Sequence, residues 1–183
     1  MASDPATLAG RMGRNNDMSC KTICISGGAS GIGLATAHIL HARGANICVG
    51  DLDTAAIATA KQSLEPQGSP ERTHFTVVDV SKRASVDGWI AEVVQEFGRL
   101  DGAANCAGVI GKHHGTRAVQ DLDDDQWDLI MGVNLTGMMY CMRAQLRVMG
   151  EGGSMVCVSS VQGLLGFAKH AAYVASKHGI LGE

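Results

Sequence analysis

Residues 21–51 read KTICISGGASGIGLATAHILHARGANICVGD. The stretch joins an apolar, β-branched run from Thr22 to Ser26, a turn with glycines at 27, 28, 31 and 33, a helical pattern, and a second apolar run ending on Asp51. Neither run alternates polar with apolar residues, so each reads as a strand buried on both faces, as in a parallel sheet covered by helices. The glycines stand where strand gives way to helix. There glycine permits a tight turn with positive φ, its missing side chain lets a diphosphate approach, and the helix N-terminus offers N–H donors and a positive dipole. Gly27, Ser30, Gly31, Ile32 and Gly33 are therefore the candidate phosphate-binding residues.

The same alternation continues outward. A helix is expected from Asp53 to Leu64, a strand in THFTVVDV, a helix from Ser81 to Phe97, and a strand in DGAANCAG. A long helix from Asp123 to Met149, a strand in SMVCVSS and a last helix beginning near His170 complete a series of five strands and five helices. Strands linked by helices require right-handed crossovers, which gives a doubly wound α/β sheet with helices on both faces. Ligands of such sheets bind beyond the carboxyl ends of the strands, at Gly27 to Gly33, Asp51, Asp79, Asn105 to Gly108 and Ser159 to Ser160. Residues 1–18 mix Gly, Pro, Asn and charge without a period and are expected to form a loose tail, leaving one domain over 19–183.

Composition narrows the function. With 15 basic against 18 acidic residues the net charge is −3, which provides no field to hold a nucleic acid or an anionic membrane surface. No apolar run approaches the roughly 18 residues of a membrane span, and Met1 to Ser19 lack the apolar core of a secretion signal, so a cytoplasmic location is expected. The six cysteines form no C-x-x-C pair and read as small hydrophobes, and no metal site is expected.

Asp51, with Leu52 beside it, lies 18 residues beyond Gly33, close to the spacing of about 20 for a carboxylate that accepts both ribose hydroxyl protons. This favours NAD over NADP, because a 2′-phosphate would meet the carboxylate and neither Ala29 nor Ser30 offers a basic side chain to offset it. Asp51 could instead cap the following helix, a role for which Asp53 is better placed. Tyr173 and Lys177 stand one helical turn apart, with the ammonium beneath the phenol. A free Tyr ionises near pH 10, and a neighbouring cation in a partly dry site favours the phenolate that acid/base work at neutral pH requires.

Together, Gly27-x-x-x-Gly31-x-Gly33, Asp51, Asp79-Val80, Asn105-Cys106-Ala107-Gly108, Asn134, Ser160 and Tyr173-x-x-x-Lys177 resemble the motif series of the short-chain dehydrogenase/reductase family. The resemblance covers Ser19 to Glu183 and implies a Rossmann-like fold. It implies Tyr173 as general acid/base, Lys177 as the residue that tunes it and holds the nicotinamide ribose, Ser160 on the substrate oxygen, and Asn134 holding a relay water. Ser160 is preferred to Ser159 because it lies 13 residues before Tyr173. By the same resemblance Asp79 and Val80 flank the adenine, while Asn105, Ala107 and Gly108 line the cofactor.

Two departures stand out. Cys106 replaces the second Asn of the family's Asn-Asn-Ala-Gly, removing hydrogen bonds between strands worth roughly 0.5–1.5 kcal/mol if nothing compensates. The sequence also ends six residues after Lys177, where family members continue, so the usual C-terminal strands are expected to be missing and the Ser154 to Ser160 strand to form a sheet edge. The expected function is an NAD-dependent oxidoreductase interconverting a small secondary alcohol and a ketone, working as a homo-oligomer. The alternatives are a catalytically silent or redox-neutral nucleotide-binding protein, an isomerase or dehydratase for example, or a fragment of a longer dehydrogenase. His113, His114, Leu164, Leu165 and Phe167 are placed near the pocket mouth, the histidines as solvated loop residues.

Overall fold

The computed structural model describes residues 17–64 and 70–182. Five parallel strands form one sheet in the order β3-β2-β1-β4-β5: β1 Thr22–Ser26, β2 Asn46–Asp51, β3 Thr73–Val77, β4 Leu100–Asn105 and β5 Met149–Cys157. The helices between them are α1 Gly31–Ala42, α2 Thr54–Leu64, α3 Arg83–Phe97, α4 Asp124–Met131, α5 Gly137–Leu146 and α6 Ala171–Ile180. The doubly wound, Rossmann-like reading holds. The expected tail lies, except for Asp17 and Met18, outside the described residues.

Both faces of the sheet are buried, as the non-alternating strands require. On one face Ile23, Ile25, Ile47 and Val49 pack with Ala37 of α1 and Ala60 and Leu64 of α2. On the other, Cys24 and Cys48 pack with Val86, Trp89, Ile90 and Val93 of α3 and with Cys141 and Ala144 of α5. Adjacent β1 residues thus serve opposite cores, and the three fully buried cysteines act as small apolar side chains. Asp53 caps α2, its Oδ1 accepting the N–H groups of Ala55 at 2.9 Å and Ala56 at 3.0 Å, which leaves Asp51 for other work.

Three boundaries differ from the sequence reading. The α3 helix starts at Arg83 rather than Ser81, because the Asp79 carboxylate takes both the N–H (2.9 Å) and the hydroxyl (2.6 Å) of Ser81 and holds it in a turn. The expected long helix is interrupted by a π turn, Gly132–Thr136, and ends at Leu146. Strand β5 therefore begins at Met149 and not Ser154, with an irregular register against β4 between Leu100 and Gly102; its glycines at 150, 152 and 153 suit extended or left-handed backbone better than helix. As expected, β5 is a sheet edge. Among the described residues no helix is long and apolar enough to cross a membrane.

Candidate active site

The turn from β1 into α1 is built as its glycines predict. Gly27 has φ +65°, and a Cβ there would stand 2.7 Å from the backbone of Ala107. A Cβ on Gly33 would collide with the carbonyl oxygen of Gly27, and Gly31 has φ +50° with open space in front of it. Ser30 occupies the N-cap position of α1 in extended backbone but makes no side-chain cap bond, so its side chain leaves the first N–H groups of the helix uncapped. Above them lies a cleft of about 490 Å³.

Eleven sequence-predicted residues line this cleft: Gly27, Ser30, Gly31, Ile32, Gly33, Asp51, Leu52, Asp79, Val80, Ala107 and Gly108. Asp51 ends β2 at its rim, Oδ2 accepting the Ala29 N–H at 3.0 Å and Oδ1 the Asp53 N–H at 3.2 Å. Each oxygen keeps a lone pair for a further donor. None of the lining residues carries a basic side chain. The residues fit a dinucleotide: a glycine cradle that leaves no room for a Cβ at Gly27 or Gly33, uncapped helix N–H groups for the diphosphate, and a carboxylate at the end of the adjacent strand on the rim of the same cleft.

Asn105 corrects the expectation. It is fully buried, and its side chain points into the core, where Nδ2 donates to Gln145 Oε1 at 2.8 Å and Oδ1 accepts from Gln145 Nε2 at 2.9 Å and from the Ser26 hydroxyl at 3.3 Å. It ties β4 to β1 and α5 rather than lining the cleft. The strand tie expected to be lost at Cys106 is thereby supplied one residue earlier, while Cys106 itself lines the cleft and donates its N–H to Ser26 O at 2.9 Å. Burial pushes the Cys106 thiol up, against the opposing pull of the Lys177 charge. The sequence reading missed Leu129 and Val133, which also line the cleft; Leu129 lies in the last turn of α4 and Val133 in the π turn that follows, and Leu129 is 45% exposed although apolar.

Next to the cleft, α6 presents the Tyr–Lys pair. The Lys177 ammonium lies 5.6 Å from the Tyr173 ring centroid and donates to the Val158 carbonyl at 3.0 Å. Lys177 is 4% exposed, and burial lowers its pKa from the ordinary value. A Cβ on Gly108 would sit 3.5 Å from Nζ, so that glycine opens the path from cleft to ammonium. Ser160, just beyond β5, accepts the Gln162 N–H at 3.1 Å and keeps its hydroxyl proton available. Ser159 instead donates to the Lys177 carbonyl at 2.8 Å, so its hydroxyl proton is spent within the fold.

Asn134 differs in detail from its expected role. Its Oδ1 accepts the Val109 N–H at 2.7 Å, and its Nδ2 donates to Val109 O at 2.9 Å and Ser176 Oγ at 3.1 Å. Both amide hydrogens are spent, and the side chain is fully buried. It clamps the loop after β4 to α6 and has no donor left for a water. The loop histidines are not solvated either. His113 faces Asp123 at 2.9 Å, and the His114 ring packs against His170 (centroids 3.9 Å apart) and edge-on to Tyr173 (5.1 Å). Leu164, Leu165 and Phe167 remain largely exposed on the adjoining loop.

Comparison with known proteins matches residues 21–182 to the family model described as short chain dehydrogenase. The chain is 54% identical over 179 residues to the short-chain dehydrogenase/reductase ABA4 of Pyricularia oryzae, covering 98% of this chain and 66% of that relative. It is 39% identical to a chanoclavine-I dehydrogenase of Arthroderma otae, covering 88% of this chain and 65% of the relative. A crystal structure of an NAD+-bound xylitol dehydrogenase superposes with a TM-score of 0.84 at 30% identity, covering 90% of this chain and 62% of the other. The chain thus spans somewhat less than two thirds of the length of these proteins.

Proposed function

The chain belongs to the short-chain dehydrogenase family, an oxidoreductase family, and within it we propose an NAD-dependent enzyme that interconverts a small secondary alcohol and a ketone. The observation that carries the reading is the convergence of two independently built parts: the glycine cradle with Asp51, and the Tyr173–Lys177 pair, whose ammonium lies behind Gly108 at the edge of the cleft. Gly27, Gly31, Gly33 and the first N–H groups of α1 would hold the diphosphate, Asp51 the adenosine ribose, and Lys177 the nicotinamide ribose. When bound, the nicotinamide supplies hydride chemistry.

The chain's own residues handle the oxygen and its proton. Ser160 Oγ donates to the substrate oxygen, and the Tyr173 hydroxyl gives a proton to it in reduction and takes one in oxidation. With its side chain committed to Val109 and Ser176, Asn134 acts here as a clamp between the loop after β4 and α6. NAD over NADP is supported by the lone pairs of Asp51 and by a cleft without a basic side chain. A homo-oligomer is supported by Leu146, Val148 and Val156, which are apolar and exposed at the end of α5 and along the β5 edge.

The test is a spectrophotometric assay of the purified protein with NAD or NADH against a panel of secondary alcohols and ketones. Nicotinamide-linked turnover that is lost in Tyr173→Phe is the expected result. Cofactor binding without turnover on any member of the panel would overturn the catalytic reading in favour of a silent nucleotide-binding protein.

A further inference from the structure

Two loops meet over Tyr173. The one after β4 brings His114, and the one before α6 brings His170. Their rings lie 3.9 Å apart, His114 stands edge-on to the Tyr173 ring, and Gly115 N–H donates to Lys169 O at 3.1 Å, closing the two loops on each other. Lys169 takes φ +65° to offer that carbonyl, a left-handed conformation that a residue with a side chain adopts only where its surroundings enforce it. His170 Nδ1 lies 3.0 Å from Gln162 Oε1, an oxygen that can only accept, so this nitrogen carries the proton. The Gln162 N–H in turn donates to Ser160 Oγ. One contact chain therefore runs from Tyr173 through His114, His170 and Gln162 to Ser160.

We propose that His114 and His170 are positioning residues that hold Tyr173 and Ser160 in register for the proton step, and that they do so only while the His114 imidazole is neutral. His114 Nδ1 is buried and has no hydrogen-bond partner among the described residues. A lone pair tolerates that position, whereas an N⁺–H there would be buried without an acceptor, beside a second imidazole in ring contact. Burial, and after it the neighbouring His170, also lower the pKa of His114. Among the described residues no carboxylate pairs with either ring. The groups facing the pair are His113 and Arg117, both spent on Asp123; Lys112, near Asp125; Lys169 on the adjoining loop; and Tyr173 with Lys177 behind it. Gln126 and Ile130 of α4, which line the same small cavity, are uncharged. Protonation is expected to part the two rings and release Tyr173.

This inference rests on the proposed role of Tyr173, but its first test needs no turnover. The chain has two tyrosines and seven histidines, so ring resonances of Tyr173 and imidazole resonances of His114 can be assigned by NMR and followed against pH without cofactor. The expected result is one acid transition shared by His114 and the Tyr173 ring, lost from Tyr173 in His114→Phe. Separate midpoints, or a transition of Tyr173 that survives in His114→Phe, overturn the proposal even if the enzyme reading stands. In turnover, His114→Ala should lower kcat at least tenfold with the KM for NAD unchanged. His114→Phe, which restores a ring against both neighbours, should recover most of that loss and shift the acid limb of the pH profile to lower pH; an unmoved limb contradicts the requirement for a neutral His114.

Discussion

The two ends of the same sheet treat charge in opposite ways. At the amino ends of the strands Asp101 is saturated: Arg99 Nε donates at 2.7 Å, the Thr22 N–H at 3.0 Å and Lys21 Nζ at 3.1 Å. Burial pushes this carboxyl up, but those hydrogen bonds outweigh it and hold it at about 2. At the carboxyl ends the polar groups are placed but underused. Asp51 accepts one N–H on each oxygen, Lys177 makes one bond to a carbonyl, Ser160 keeps its proton, and the Tyr173 hydroxyl makes no hydrogen bond among the described residues. The first arrangement spends its charges on the fold. The second fixes its groups from behind, through Asn134, Ser159 and the loop histidines, and leaves their outward polar atoms with hydrogen-bonding capacity to spare.

Variants at the two ends should therefore separate stability from function. The largest effect is expected at Tyr173→Phe: turnover falls at least about 100-fold, the lower bound for a general acid/base, while NAD affinity by fluorescence titration stays within twofold. Gly33→Ala is expected to disturb both, because the new methyl meets the Gly27 carbonyl; chemical denaturation should show a loss of about 2–3 kcal/mol, and NAD binding should weaken with it.

The smallest effect belongs to the amino end. Asp101→Asn should cost on the order of 1 kcal/mol at neutral pH, a figure discounted for solvent screening, with NAD affinity unchanged. Because the folded carboxyl titrates below its ordinary value of 3.8, its contribution is complete above about pH 4 and is lost as pH falls towards 2, so the denaturation curves of variant and parent should converge there. A gap that persists at low pH would assign the loss to packing rather than charge.

Much of this was legible in the sequence because local chemistry dictated it. The strands show through runs with no polar face, the cradle through glycines at a strand-to-helix junction, and the cap through Asp53, two positions after Asp51 and immediately before the helix. What escaped depends on residues far apart in the chain. Asn105 turns into the core because Gln145, 40 residues on, matches both its donor and its acceptor, and nothing near Asn105 announces that partner. The π turn that buries Asn134 is set by the contacts of its side chain with Val109 and Ser176, not by helix propensity. His114 reads as a solvated loop residue until folding brings His170, 56 positions away, against its ring.

The central claim, that the carboxyl end of the sheet is a site for NAD read by Asp51, is tested most directly by titrating the purified protein with NADH and NADPH by fluorescence, in parallel with Asp51→Ala. NADH is expected to bind at least tenfold more tightly than NADPH, about 1.4 kcal/mol, and the gap should narrow in the variant. Equal affinities, a preference for NADPH, or a gap unchanged by Asp51→Ala would contradict it.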